Sequence, residues 1–381
     1  MQSCCQPYKL FVVSLALLIT SCSKSNGIKQ PERADTSVMP TPAITDLFTK
    51  YSLNPVFDIG SDVPVWRSIH AANVSILTPA ETGDSTWRLF LRGSGSGADG
   101  YHDNIGMFTQ STAGFSPYGN WTELTSNPNL PHGPAGTYDA QNALDAAVVT
   151  SPNGNLFLYY MSRDGNNRSG LCVASSTDTG KTFNKYTGNP LKQDVGPNDA
   201  VYANGNYYVY YGDAKWNGSG FTEPLQIWLS VSPSAINLSA PLRYAIKVGS
   251  YGSWDNYSVN GAKLFQVSGD NRWFMLYQCS THNFDYPERF HCAWSNDLAN
   301  WTKVTNPKPL LTRGTPGTFD QGAIWTGSII EHDGNLYMYY EGWGSYKVDV
   351  GIRDQPYYHG GNSRVGIASC TVADFLNWIK G

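Results

Sequence analysis

The stretch GTFDQGAIWTGSIIEHDGNLYMYYEGWG, Gly317–Gly344, decides the fold because its pattern returns elsewhere in the 381-residue chain. GTYDAQNALDAAVVTSPNGNLFLYYMSRDG begins at Gly136 and GSWDNYSVNGAKLFQVSGDNRWFMLYQCSTH at Gly252. Each opens on Gly, a Ser or Thr, an aromatic residue and an Asp: Asp139, Asp255 and Asp320. Nine residues further on, Val148, Leu264 and Ile329 fall in an apolar run, followed by a turn of Asn, Asp or Gly and then an aromatic-rich run. Two runs joined by such a turn predict a β-hairpin.

Two weaker copies complete the set. WRSIHAANVSIL (Trp66–Leu77), with WRLFLRG behind it, has Arg67 where the others carry Asp, and NDAVYANGNYYVYYGD (Asn198–Asp213) keeps the hairpin without the opening signature. A unit of roughly 60 to 70 residues read five times marks a repeat architecture. Within each unit the first strand is small and apolar, as in Ala146–Val149, and the second is bulkier, as in Leu156–Tyr160, Tyr207–Tyr211 and Leu336–Tyr340. SGLCVAS, LQIWLSVS, RFHCAWS and SRVGIAS supply a third strand, and NWTEL and NWTKV a fourth. The expected fold is all-β, a five-bladed β-propeller with four antiparallel strands per blade, since radial repetition protects sheet edges.

With 41% hydrophobic and 15% charged residues, the chain can bury a large core. Its net charge is −4 and no basic run lies beyond the N-terminus, which disfavours nucleic-acid and anionic-membrane partners. Lys9 precedes the apolar run Leu10–Ile19, the length of a signal-peptide core and too short to span a bilayer. Ile19, Thr20, Ser21 and Cys22 look like a bacterial lipoprotein processing site. The expected organisation is therefore a signal peptide over 1–21, a tether over 22–55 and a catalytic propeller over 56–381, held at the outer membrane or cell surface only by a lipid on Cys22. Export leaves four Cys in the folded part. Cys279 and Cys292 are either a disulfide or two free thiols, whereas Cys172 and Cys370 sit in apolar strands as core residues. No Cys or His spacing matches a zinc site, so neither a metal ligand set nor a required cofactor is expected.

If Asp145 begins a first strand at one face, the hairpin turn lies at the other face and the second strand returns to the first. One mouth then collects the first-strand starts Asn73, Asp145, Asp199, Gly261 and Thr326. It also collects residues leaving the second strands: Arg92, Arg163, Asp213, His282, Glu341 and Trp343. Arg67, His70, Asp139, Asp255 and Asp320 lie in or beside the loops entering it, as do His102 and Asp103. Trp66, Trp216, Trp254 and Trp325 also fall in mouth-side segments, where an indole can cover a sugar face. Converging carboxylates repel one another and raise some pKa values. That is the chemistry a glycosidase needs: one carboxylate as base or nucleophile and one protonated acid. Several carboxylates around an axis also leave room for a structural Ca²⁺.

The runs DAAVVTSPNGNLFLYY from Asp145 and DAVYANGNYYVYY from Asp199 are similar to the pattern of the five-bladed propeller glycosidases, glycoside hydrolase family 43 and its relatives. The resemblance spans all five repeats. It implies that Asp145 is the base and Asp199 the tuning carboxylate; the third position departs, because Asn260 and Gly261 stand where the family carries its acidic Glu. Glu341 and His282 are then the candidates for the acid. Glu341 is the odd one out among residues following the second strands, so the expected catalytic set is Asp145, Asp199 and Glu341. Arg67, His70, Asn73, Arg92, Asp139, Arg163, Asp255, His282, Asp320 and Trp343 are the expected substrate contacts.

The expected activity is cleavage of terminal sugars or short oligosaccharides from plant, algal or host polysaccharide. The alternative is a non-catalytic glycan-binding propeller of a polysaccharide-uptake system, favoured by the missing Glu. STDTGKTF (Ser176–Phe183) resembles the Asp-box turn of sialidases, but one box and five repeats argue against their six-bladed fold.

Overall fold

The computed structural model describes residues 45–213, 224–238, 243–281, 287–315, 317–344 and 362–381. After β1 (Thr49–Lys50), the first sheet comprises β2 (His70–Leu77), β3 (Thr86–Gly97), β4 (Gly100–Ser111) and β5 (Thr122–Glu123). The second has β6 (Asn142–Thr150), β7 (Leu156–Arg163) and β8 (Ser169–Ser176), with β9 (Asn184–Lys185) and β10 (Lys192–Gln193) both pairing with β8. The third runs β11 (Val195–Ala203), β12 (Asn206–Asp213), β13 (Ile227–Ser232) and β14 (Arg243–Ile246). The fourth runs β15 (Ser258–Phe265), β16 (Trp273–Ser280) and β17 (Arg289–Ser295), with β18 (Thr302–Lys303) and β19 (Leu311–Thr312) both on β17. The fifth is β20 (Ala323–His332), β21 (Asn335–Trp343) and β22 (Ser363–Thr371). Pairing within the sheets is antiparallel, and one parallel bridge, Asp103 with Asn142, joins the first sheet to the second.

Among the first strands, β2 touches β6, β6 touches β11, β11 touches β15, β15 touches β20, and β20 returns to β2. The apolar cores lie between neighbouring sheets. Tyr159, on β7, is in the core shared with the third sheet and Tyr160 in the core shared with the first. Tyr210 and Tyr211 divide in the same way between the fourth and second sheets, and Tyr339 and Tyr340 between the first and fourth. Alternate residues of a strand point to opposite faces, so a Tyr-Tyr pair sends one ring to each neighbour. This explains the tyrosine pairs of β7, β12 and β21.

The fifth sheet takes its outermost strand from the other end of the fold. Thr49 and Lys50 pair with Ser369 and Ala368 on β22, and Phe48, 2% exposed, joins the core between the fourth and fifth sheets. Asn54 bonds the Ile367 backbone through both side-chain atoms, at 2.8 and 2.9 Å. The folded unit therefore begins about Asp46, and the tether expected to reach 55 ends earlier. Its polar composition concealed a two-residue strand. The expected signal peptide and Cys22 lie outside the described residues, and no described helix is long and apolar enough to cross a membrane.

Asp139, Asp255 and Asp320 do not reach the mouth; each is at most 2% exposed and fastens a loop to its own sheet. The Asp139 carboxylate accepts from Thr137 Oγ1 (3.0 Å), Tyr160 OH (3.2 Å) and Lys185 Nζ (2.5 Å). Asp320 accepts from Tyr340 OH (2.9 Å) and Lys50 Nζ (2.6 Å), and Asp255 from Ser253 Oγ (2.8 Å) and Lys303 Nζ. The lysines come from the short outer strands β9, β1 and β18. The first sheet keeps this latch with its charges exchanged. Arg67 takes the Asp place, and Glu123 of β5 the Lys place, with Arg67 Nε and Nη2 donating to Glu123 Oε2 at 3.1 and 3.0 Å. Arg67 is thus an outer fastening and not a substrate contact. Trp66 donates to Glu123 Oε1 at 2.8 Å, and its ring fills the space left by Gly93 and Gly106, where a Cβ would come within 2.3 and 2.5 Å of it.

Cys279 and Cys292 are free: on adjacent strands they stand opposite Arg289 and Leu276, not each other. The Ser176–Phe183 turn is tied by its own side chains, with Ser176 Oγ donating to Asp178 Oδ1 (2.7 Å) and Thr182 N to the same oxygen (3.0 Å).

Candidate active site

Each first strand carries an irregular pairing near its start. Pairing with the second strand shifts after Ala72, Leu144, Pro197, Asn260 and Thr326. A bulge re-aims the extra residue. Two of these are non-glycine residues held at positive φ, Asn73 at 37° and Asp145 at 58°. Such backbone costs on the order of 1–3 kcal/mol and persists where the surroundings over-determine it. Both residues line a concave mouth with Arg92, Arg163, Glu341 and Trp343.

At its centre one guanidinium holds two carboxylates. Arg92 Nη1 donates to Asp145 Oδ1 and Nη2 to Glu341 Oε1, both at 3.1 Å. Arg92, Met161, Gly212, Gln278 and Glu341 hold equivalent second-strand places, opposite Ala72, Leu144, Gly196, Asn260 and Trp325. Glu341 is only 5% exposed. Its Oε1 also accepts from Trp343 Nε1 at 2.6 Å, whereas Oε2 has the backbone N–H of Asn73 at 3.2 Å. Burial pushes the Glu341 carboxyl above the ordinary glutamate range, opposed by Arg92 and by the Trp343 hydrogen bond. Since the two strong donors converge on Oε1, Oε2 is the oxygen left to carry a proton. Asp145 is more open, with 24% of its side chain exposed.

Other expected contacts are also brought together here. His70 lines the mouth, with its ring 5.4 Å from that of Trp343, and its Nδ1 accepts from the Ser363 N–H at 2.9 Å. Trp325 lies 5.2 Å from Trp343. Buried polar atoms without a hydrogen-bond partner remain at this mouth: Asn73 Oδ1, Arg92 Nε, Arg163 Nε, Asn198 Nδ2 and Asn260 Oδ1. Unsatisfied groups of that kind cost stability unless a ligand meets them. His282 and Trp216 lie outside the described residues. Trp254 belongs elsewhere, stacked on His291 at 3.8 Å.

Asp199 is the main correction. Aligning DAVYA with DAAVV places it beside Asp145, but the shift between Pro197 and Asp199 leaves Asn198 as the extra residue, and Pro197 and Asn198 line the mouth. One residue of slip turns a side chain to the other face. Asp199 instead accepts from the backbone N–H groups of Leu264 (2.7 Å) and Ala200 (3.0 Å) and faces Lys263. Burial moves the Asp199 carboxyl up and the Lys263 ammonium down, each opposed by the other. Lys263 reaches from β15 across to the Ala146 carbonyl of β6 at 3.5 Å.

Two lining residues carry no signal in the repeat. Asp103, on β4, is 8% exposed, accepts from Ser94 Oγ, and has its carboxyl pushed up by burial. Tyr101 lies beside it, its hydroxyl pushed up to about 12 by burial. Both reach the mouth because the strands β3 and β4, 12 residues each, run further than the other second and third strands, a cue available in RGSGSGADG.

No family model matches the chain, and no curated protein matches it. Solved structures do. A β-1,2-mannobiose phosphorylase from Listeria innocua, in complex with β-1,2-mannobiose, superposes with a TM-score of 0.59 at 14% identity, over 87% of this chain and 99% of that one. The GH43_1 enzyme from Xanthomonas citri complexed with xylose gives 0.54 at 12% identity over 81% and 89%. The catalytic domain of a GH62 α-L-arabinofuranosidase from Coprinopsis cinerea gives 0.51 at 13% identity over 85% and 98%. The chain shares the propeller fold of these carbohydrate-active enzymes.

Proposed function

We propose that the chain is a closed five-bladed propeller acting as a glycoside hydrolase on the ends of an oligosaccharide or polysaccharide. Closure is supported by the ring of contacts from β2 round to β20. The observation that carries the activity is the Arg92 bridge between Asp145 and Glu341 on the floor of the mouth. In this reading Glu341, protonated on Oε2, donates to the departing glycosidic oxygen. Asp145, held by Arg92, is the base that takes a proton from the attacking water. Carboxyl groups in unlike environments divide the acid and base roles. His70 and the indoles of Trp325 and Trp343 supply flat surfaces for the sugar, and the unpartnered Asn73, Asn198 and Asn260 atoms supply hydrogen bonds to its hydroxyls.

The test is sugar release from mixed polysaccharides and aryl glycosides by the wild type and by Asp145→Asn and Glu341→Gln. Turnover should fall by at least about a hundredfold in each variant, as expected for loss of acid–base catalysis. A glycan-binding propeller is the second reading, favoured by the same bridge, because both carboxylates already have a cationic partner. Glycan binding with no release by the wild type, retained in Asp145→Asn, would establish that role instead. The mature protein is further proposed to be carried by a lipid on Cys22 at the outer membrane or cell surface, supported by the ITSC site. Cys22→Ser should move it from the membrane fraction to the soluble one.

A further inference from the structure

Beside the mouth, the hairpin between β3 and β4 and the segment leading to the second sheet bring Asp99, His102 and His132 together. His102 Nδ1 lies 2.8 Å from the Gln141 carbonyl oxygen, which can only accept, so Nδ1 carries a hydrogen. His132 Nδ1 lies 3.1 Å from Asn104 Oδ1, and that oxygen also accepts the His132 backbone N–H at 2.9 Å. The second contact fixes the amide with its oxygen toward the ring, so this Nδ1 is a donor as well. Both Nε2 atoms are left facing one carboxylate oxygen, Asp99 Oδ2, at 3.8 and 3.3 Å. The Asp99 carbonyl oxygen adds a further acceptor 3.3 Å from His102 Nε2. In the neutral rings these contacts set lone pair against lone pair, and a positive centre between them would satisfy all of them.

We propose that Asp99, His102 and His132 bind a divalent transition-metal ion of the Zn²⁺ class. Two imidazoles and one carboxylate suit such an ion. The Nδ1–H bonds to oxygen are the supporting contacts that orient metal-bound histidines. The ligand atoms lie within 4.8 Å of one another. The rings stack at 3.6 Å and 4°, and because a nitrogen lone pair lies in its ring plane, capture turns them out of that stack. Asp99, 65% exposed on the hairpin turn, follows the ion, and water completes the coordination. The site adjoins the mouth through Tyr101 and Asp103, which flank His102, but contains neither carboxyl of the proposed catalytic pair.

The experiment is titration of chelator-treated full-length protein with Co²⁺, read by its visible d–d absorption, with Zn²⁺ as competitor. One equivalent should saturate the band and Zn²⁺ should displace it. His102→Gln and His132→Gln should each weaken binding at least tenfold, with the far-UV dichroism of the metal-free protein unchanged. Asn104→Leu, which removes the acceptor of both the His132 ring and its backbone N–H while leaving every ligand atom in place, should weaken it by roughly tenfold. A wild type with no saturable band up to millimolar Co²⁺, or a His102→Gln/His132→Gln double variant with unchanged affinity, would overturn the proposal. The readout does not depend on glycoside turnover, so it stands apart from the test of the hydrolase reading.

Discussion

Exchanging the charges of the first-sheet latch tests the repeat logic quantitatively. Arg67 and Glu123 retain only 12% and 22% of their side-chain exposure, and two guanidinium nitrogens converge on one oxygen. Removing one partner of a fully buried pair costs about 3–5 kcal/mol, and of an exposed pair about 0–1. At this intermediate burial, Arg67→Asp alone and Glu123→Lys alone should each cost about 2–3 kcal/mol, since each leaves two like charges face to face. The double variant recreates the Asp–Lys latch of the second, fourth and fifth sheets. It should recover most of the loss, ending about 1–2 kcal/mol below wild type because the Arg67 guanidinium no longer covers the Phe108 ring, 5.6 Å from its centroid, and Trp66 loses its acceptor. The coupling energy is then about 3 kcal/mol, well above the few tenths seen between independent sites. Urea unfolding of the four proteins measures it. In a thermal scan each single variant should melt roughly 4–6 °C lower, at about 2 °C per kcal/mol for a domain of this size. Additive losses in the double variant, or a neutral Arg67→Asp, would refute the latch equivalence.

Other outcomes follow from the mouth. Since burial raises the Glu341 pKa and the proposed acid must be protonated, kcat should fall as pH rises through that raised value, an alkaline limb absent from the residual activity of Glu341→Gln. Arg92→Met should lower kcat at least a hundredfold, because it strips both carboxylates of the cation that positions them. Asp199→Asn should cost about 1–3 kcal/mol of stability, through the charge lost opposite Lys263, while kcat/KM stays within a few-fold of wild type. A hundredfold loss of turnover at unchanged stability would return Asp199 to the catalytic set.

What was legible in the chain was whatever repeats. The hairpins around Asp145, Gly261 and Thr326 and the gathering of Arg92, Glu341 and Trp343 at one mouth follow from strand direction alone. Three kinds of detail were not legible. A bulge shifts side-chain direction by one residue without a compositional mark, so Asp199 and Asn198 exchanged places. An acidic signature repeated within the chain reports fastening as readily as chemistry: Asp139, Asp255 and Asp320 are defined by their lysines on outer strands, roughly 50 residues later in two cases and 270 earlier in the third. A two-residue strand such as Thr49–Lys50 has no periodicity to detect. Arg67 did carry a clue, since its opposite charge was matched by Glu123 in NWTEL where NWTKV has Lys303.

The union of β1 with β22 is also the strand pairing of longest sequence separation among the described residues. Thr49 and Lys50 lie roughly 320 residues from their partners Ser369 and Ala368, and Lys50 is also the partner of Asp320, so one short segment supplies both the edge strand and the latch of the fifth sheet. Cutting the chain after Asn54 would therefore take from that sheet an edge strand, the buried Phe48 ring and the partner of a buried carboxylate in one stroke.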